Sequence, residues 1–263
     1  FPPPTDQYSP AHPQQATNCV SVLHQGKLLA TYAKHHLPNY SVFDEFRTFL
    51  PGTSNLIVRL GGVDCGVVIC EDLWRDHGPV ETLSGYPLGA LLVPNASPFE
   101  RDKDDVRLPL VVRRAQEMNT AVYYANLVGG KDHLVFDGDS VVVDSSGQLV
   151  SRAILFDEQL QVVSLDLPEA TDHPLPDNTQ LVSVDVAQRP LTPPPATIAE
   201  QRDDLDVVWS ALVTGVRDYV EKNRFRSVIL GLSGGIDSAV CASIAVDALG
   251  PNPVHGVSLP SRY

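Results

Sequence analysis

From about residue 18 to residue 170, short apolar runs alternate with polar breaks marked by glycine or proline, the pattern of a strand-rich α/β unit. Cys19–Leu23 and Leu28–Tyr32 flank His24-Gln25-Gly26-Lys27, which predicts a hairpin, and Ile57–Leu60 and Cys65–Ile69 flank Gly61-Gly62, which predicts another. Ala90–Pro94 and Ala121–Leu127 read as strands. Ser140–Asp144 and Leu149–Ala153 read as a hairpin about Ser145-Ser146-Gly147, and Leu160–Leu167 as a last, alternating strand. Asp104–Asn119 has helical spacing, with Val106, Leu110, Val111 and Ala115 on one face and Arg113, Arg114 and Glu117 outside. Pro109 is assigned to the first turn of that helix, where a missing N–H costs nothing.

The pattern changes after residue 170. Residues 171–196 hold Pro190 and Pro193-Pro194-Pro195 and read as an extended linker. Thr197-Ile198-Ala199-Glu200 matches a capping box, and Leu205, Val208, Trp209, Leu212, Val216 and Tyr219 fall on one face of the helix that follows, to about Lys222. Ser227–Gly231 is a strand and Ser238–Leu249 a helix. The chain therefore divides into a proline-rich segment (1–17), a first unit (18–170), the linker (171–196) and the opening of a second unit (197–263). One strand, one turn and two helices cannot close a core, and Phe1 stands where an initiator Met would. The expectation is a fragment of a longer protein.

Composition narrows the function classes. The net charge of −13 argues against a nucleic-acid surface and an anionic membrane, and no run of about 18 apolar residues is present to span a bilayer. The four cysteines (Cys19, Cys65, Cys70 and Cys241) include no Cys-x-x-Cys pair, so reduced thiols and a cytoplasmic setting are expected.

Two short stretches carry chemistry. Leu232-Ser233-Gly234-Gly235-Ile236-Asp237-Ser238-Ala239 joins the strand of the second unit to its helix. A glycine-rich turn there lets backbone N–H groups approach a phosphate, with the helix N-terminus facing the anion. It is neither a Walker A loop nor Gly-x-Gly-x-x-Gly. The other stretch is Val67-Val68-Ile69-Cys70-Glu71-Asp72-Leu73-Trp74, an apolar run ending in a cysteine at a polar turn. A thiol at such an elbow is open to substrate, and the backbone N–H groups after it can hold an oxyanion. On the spacing alone a structural cysteine is the commoner outcome.

Wider matches settle more. Ser-Gly-Gly-x-Asp-Ser resembles the pyrophosphate loop of the ATP pyrophosphatases, which activate a carboxylate as an adenylate. Tyr32-Ala33-Lys34-His35-His36-Leu37-Pro38-Asn39-Tyr40 resembles the lysine motif of the nitrilase superfamily, and Ile69–Trp74 its cysteine motif. Asn95-Ala96-Ser97-Pro98-Phe99 and Phe136-Asp137-Gly138-Asp139-Ser140 are further matches in order. His255–Tyr263, with Leu259 in place of Met, resembles the closing signature of the glutamine-dependent NAD synthetase family, in which both units occur in this order.

The resemblance implies a nitrilase-type α-β-β-α sandwich (the glutaminase unit, 18–170) followed by the start of a parallel, doubly wound ATP-pyrophosphatase domain. It implies Cys70 as nucleophile, Lys34 beside it, lowering the thiol pKa and balancing the oxyanion, and Glu45 as a supporting carboxylate. Tyr40, Glu71 and Trp74 would line a glutamine pocket, with Ser97 and Arg101 on the α-amino and carboxylate groups. Gly231, Ser233, Gly234, Gly235 and Ser238 would hold ATP phosphates. Asp237 would bind Mg²⁺, or cap its helix. The implied substrates are glutamine, ATP and nicotinic acid adenine dinucleotide, and the family implies a homo-oligomer. The family's base, a glutamate upstream of the lysine, has no counterpart, since Asp6 is the sole carboxylate before Lys34. Two rivals stand beside this reading: a stand-alone amidase, and an inactive fragment that only binds ligand.

Overall fold

The computed structural model describes residues 16–101, 104–186, 192 and 195–258, with backbone alone for 104 and 105. The proline-rich start, Pro190, Pro193, Pro194 and the closing Leu259–Tyr263 lie outside the described residues. Strands β1 (Cys19–His24) and β2 (Lys27–Ala33) form an antiparallel hairpin. Strands β3 (Asn55–Leu60) and β4 (Val63–Val67) form the second predicted hairpin. Its turn residues Gly61 and Gly62 have φ of 55° and 89°. Two successive positive φ values match the right-handed twist of flanking strands, and glycine adopts them without a Cβ clash.

After β4 come helices α1 (Glu71–Trp74) and α2 (Pro79–Ser84), strand β5 (Ala90–Asn95), helix α3 (Asp104–Met118) and strand β6 (Ala121–Asn126). A hairpin of β7 (Val128–Lys131) and β8 (Leu134–Asp137) precedes β9 (Val141–Val143), β10 (Leu149–Arg152) and β11 (Thr179–Val184). One seven-stranded sheet runs β10-β9-β6-β5-β4-β3-β11, with β4, β5 and β6 parallel. Alternation along β3 divides the core. Ile57 faces Leu73, Leu83, Val111 and Val122 on the helix side, while Leu56 and Val58 face Tyr32 and Ala30 of the β1–β2 hairpin on the other. Helices, large sheet and small sheet are thus stacked in layers, as expected of the sandwich.

The second unit supplies α4 (Asp204–Lys222), β12 (Val228–Leu232), α5 (Ile236–Leu249) and β13 (Val254–Ser258). β12 and β13 pair in parallel across α5, the β-α-β start of a doubly wound sheet.

Several sequence expectations are corrected. Leu160–Leu167 is not a strand; the seventh strand is β11, inside the stretch read as linker, where it pairs in parallel with β3. Pro109 lies within α3, past its first turn. On α3, Val106 is half exposed, whereas Arg114, expected outside, is 3% exposed. Its guanidinium donates to the Leu73 and Arg75 carbonyls, which close the α1 turn. The capping box does not form: the Thr197 carbonyl accepts from Arg152 N, and Asp203 caps α4 by accepting from Leu205 N at 2.9 Å. On α4 the buried residues are Ala211, Thr214, Asp218 and Val220, while Leu205, Leu212 and Tyr219 are exposed. The helix α5 begins at Ile236, two residues before the predicted start.

Candidate active site

The apolar strand β4 runs to Val67, and the chain turns sharply at Cys70 before entering α1. Cys70 has φ 43° and ψ −100°, outside the regions an L-residue ordinarily occupies and of order 1–3 kcal/mol in strain. The surroundings impose it. Cys70 N–H donates to the Pro94 carbonyl at 3.2 Å, and the Cys70 carbonyl accepts from Leu73 N–H at 2.9 Å. Asp72 N–H donates to the Ile69 carbonyl, so of the three N–H groups after Cys70, that of Glu71 is left to face an oxyanion among the described residues.

Asp72 fixes the elbow to the lysine motif. It is fully buried and accepts from Tyr32 Oη at 2.7 Å, Ile69 N–H at 3.2 Å, His35 N–H at 3.2 Å and His36 N–H at 2.8 Å. The chain just after Lys34 is thereby tied to the chain just after Cys70. Lys34 is 2% exposed, and its Nζ donates to both Glu45 oxygens at 2.8 and 3.0 Å. Asn18 Nδ2 holds Glu45 Oε2 from the other side at 3.2 Å. A buried ammonium needs such a counter-charge.

Burial is the largest influence on the Cys70 thiol and pushes its pKa up. Lys34 pulls it down, Glu71 and Glu45 push it further up, and the Ala96 backbone N–H pulls it down by hydrogen bonding to sulfur. The predicted effect of Lys34 is present, but burial outweighs it and the net direction is upward. Alkylation by iodoacetamide should therefore be slower at Cys70 than at exposed Cys241. It should climb only above the ordinary thiol range, and Lys34→Met should push that rise to still higher pH. Peptide mass spectrometry across a pH series reads both. A Cys70 profile matching that of Cys241 would contradict the burial argument.

One cleft of about 290 Å³ brings the other candidates together: Tyr40, Cys70, Glu71, Trp74, Ser97 and Arg101 all line it, with Phe43 on its rim. Lys34, Glu45 and Ala96 line the adjoining space on the far side of Cys70. Tyr40 Oη donates to Glu71 Oε2 at 2.8 Å, and Arg75 Nε holds Glu71 Oε1 at 2.8 Å. Burial and that carboxylate push the Tyr40 hydroxyl up to about 12. Arg101 also pairs with Asp204 at the start of α4, Nε to Oδ1 at 3.1 Å.

Asp137 and Asp139, of the stretch Phe136–Ser140, hold buried arginines. Arg107, 1% exposed, donates to Asp137 at 3.1 Å and to Asp139 at 3.3 Å, and Asp139 also accepts from Arg152. Asn126 is the residue the sequence reading missed. Its side chain accepts from Ser97 N–H at 2.9 Å and donates to the Ser97 carbonyl and to Asp137. Its only sequence signal is a polar residue closing an apolar strand.

The second candidate site is separate. Gly231 lies in β12, and Ser233, Gly234 and Gly235 form the turn into α5. Ser233 and Ser238 hydroxyls are 3.3 Å apart, and Ser238 Oγ donates to the Gly235 carbonyl at 2.9 Å. Gly235 is the N-cap, so Asp237 lies inside the first helical turn and does not cap it.

A buried lysine–carboxylate pair beside a cysteine elbow agrees with the comparison by family: residues 7–174 match the family model of carbon-nitrogen hydrolase. The chain belongs to the carbon–nitrogen hydrolase family. Beyond that domain, residues 208–263 of this carbon–nitrogen hydrolase match the model of NAD synthase. The chain is 45% identical over 251 residues to the glutamine-dependent NAD(+) synthetase of Xylella fastidiosa strain 9a5c, covering 94% of this chain and 42% of the relative. It is 39% identical over 271 residues to that of Thermotoga maritima, covering 95% and 46%. The solved glutamine-dependent NAD+ synthetase of Acinetobacter baumannii, in complex with ADP, superposes with TM-score 0.76 at 34% identity, covering 94% of this chain and 43% of that one. This carbon–nitrogen hydrolase chain spans less than half the length of these relatives. The family resemblance drawn from its motifs is borne out, and so is the fold class.

Proposed function

We propose that this chain is the glutaminase unit and the opening of the synthetase unit of a glutamine-dependent NAD synthetase. The observation that carries the reading is the single cleft that gathers Cys70 with Tyr40, Glu71, Trp74, Ser97 and Arg101, backed by the Lys34–Glu45 pair. In it, Cys70 sulfur attacks the side-chain carbonyl carbon of glutamine. The oxyanion forms beside Lys34 and the Glu71 N–H. The C–N bond breaks, a thioester remains and ammonia leaves, carrying the proton that sulfur gave up. The family's upstream glutamate moves that proton. Water then cleaves the thioester to glutamate and restores the thiol. Glu71, held by Tyr40 and Arg75, is placed to bind the cationic α-amino end, and Arg101 the carboxylate.

In the synthetase unit, the nicotinate carboxylate of nicotinic acid adenine dinucleotide attacks the α-phosphorus of ATP. Pyrophosphate leaves into the Ser233–Ser238 loop, and ammonia displaces AMP to give NAD. Asp237 fits a Mg²⁺ brought with the nucleotide. One carboxylate among hydroxyls suits a hard cation that keeps phosphate oxygens and waters, and the described residues hold no cluster of three metal-ligating side chains. When bound, that ion would neutralise charge on the pyrophosphate. The family also implies a cytoplasmic homo-oligomer; among the described residues no helix is long and apolar enough to cross a membrane.

The test follows the nitrogen. The full-length protein with ATP, Mg²⁺, nicotinic acid adenine dinucleotide and glutamine labelled with ¹⁵N in its amide should form NAD labelled in the carboxamide. NAD formed only from added ammonium would remove the glutaminase half, and NAD from neither source would overturn the whole reading.

A further inference from the structure

Most of helix α4 lies in the segment that matches NAD synthase, yet the helix rests on the β7–β8 hairpin of the hydrolase unit with almost nothing between them. A Cβ added at Gly130 would lie 3.1 Å from Asp218 Cβ and 3.4 Å from Gly215 Cα, and one added at Gly215 would lie 3.1 Å from Val135 Cγ2. Small residues on both sides let the two backbones approach. Asp218 uses that closeness: its Oδ2 accepts from Gly130 N–H at 2.7 Å. Lys222 closes the clamp, donating to the Gly130 carbonyl at 2.6 Å and to Asp218 at 2.9 Å.

The hairpin continues to the cleft. Gly130 pairs with Val135 across the β7–β8 ladder. The Val135 carbonyl accepts from Phe99 N–H at 2.7 Å. Asp137, at the end of β8, accepts from Asn126 at 3.1 Å, and Asn126 grips Ser97 through both its N–H and its carbonyl. Ser97 forms part of one wall of the Cys70 cleft, Ala96 lines the adjoining space with Lys34 and Glu45, and Phe99 follows two residues after Ser97. The wall is therefore held by two hydrogen-bonded routes that end on the hairpin, and the hairpin is clamped from α4.

We propose that Asp218, with Lys222, is a positioning residue for the glutaminase cleft, acting from the synthetase segment through Gly130 and the β7–β8 hairpin. The proposal rests on the glutaminase reading of Cys70. It makes the wall that binds the substrate depend on a side chain of the neighbouring unit, so docking of α4 and tight glutamine binding rise and fall together. Coupling of this kind is physical only if an intermediate element is biased by both sites, and the hairpin is that element.

The experiment uses the full-length protein and steady-state NAD formation with glutamine or with ammonium. Asp218→Ala should raise KM for glutamine about tenfold with a smaller change in kcat, and leave the ammonium reaction near its original rate. Asp218→Asn, which keeps an acceptor for the Gly130 N–H, should recover most of that loss. Lys222→Met changes a side chain that is 59% exposed, so it serves where Asp218→Ala fails to fold, and it should raise KM about threefold. A folded Asp218→Ala or Lys222→Met protein with unchanged glutamine KM overturns the proposal. So does an equal fall with glutamine and ammonium, which a merely structural role would give. Cys70→Ala is the control. If it keeps glutamine-dependent synthesis, the glutaminase reading has failed; if it loses it while the Asp218 variants are unaffected, the positioning role alone has failed.

Discussion

Cys70→Ala in the full-length protein should abolish NAD formation from glutamine and leave NAD formation from ammonium intact. The expected loss is large, on the order of 10⁴-fold or more, because a covalent route disappears and nothing else in the cleft can form the thioester. Removal of Sγ takes away the attacking atom but not the wall around it, since Cys70 is held through its backbone N–H and carbonyl. Alanine meets the same penalty at φ 43° that cysteine does, so folding should change little. The ammonium arm bypasses the cleft and reports on the adenylating half of the reaction, to which the Ser233–Ser238 loop belongs. Retained synthesis from glutamine would remove Cys70 from the chemistry, while loss in both arms would show that the substitution had damaged more than a nucleophile.

Asp72→Ala should have the largest effect on stability. Its carboxylate is the shared acceptor for the Tyr32 hydroxyl and for the backbone N–H groups of Ile69, His35 and His36. All meet a carboxylate that is 0% exposed. Truncation strands these donors where water cannot reach them all, a loss of about 3–5 kcal/mol. For a domain of this size that corresponds to a fall of about 10 °C in Tm. Asp72→Asn keeps the shape and one oxygen acceptor but loses the charge, and should fall between the two. Thermal unfolding measures both. A loss below about 1 kcal/mol for Asp72→Ala would mean that the donors find other partners, and the elbow would not depend on Asp72. Loosening of the Lys34 loop should also lower glutamine-dependent synthesis ahead of any unfolding.

What could be read from the sequence was local. The Gly61-Gly62 turn, the β-α-β start with its Ser233–Ser238 loop, and the cysteine elbow each depend on residues adjacent in the chain, so pattern and chemistry coincide there. Of the charged residues on α3 that become buried, Arg114 was misread and Arg107 was given no role. Arg114 has the spacing of a solvent-facing position on α3, but carbonyls from the distant α1 turn draw it inward. Arg107 is buried by Asp137 and Asp139, some thirty residues away. The strand β11 was hidden for the same reason: its alternation is weak and its partner β3 lies far back in the chain. On α4 the helix itself was legible, but the face that packs was not the apolar stripe. Glycines at 129, 130 and 215 permit a closer approach on the face bearing Ala211, Thr214 and Asp218, and that face is the buried one. For the thiol, the sign of the lysine's influence was legible from charge, whereas the depth of burial that overrides it emerges only when the layers stack.

The pairing of β11 with β3 also has a consequence for the order of events during synthesis. As the chain leaves the ribosome, β3 and β4 can pair at once and β5 and β6 can join as they emerge, but the outer edge of β3 stays open until Val184 has been made. For most of the translation of this domain, an edge with free N–H and C=O groups is available to any passing strand. Completion requires the closure of a long loop, which is entropically slow. The nascent hydrolase is therefore most exposed to misassociation just before helix α4 begins to appear.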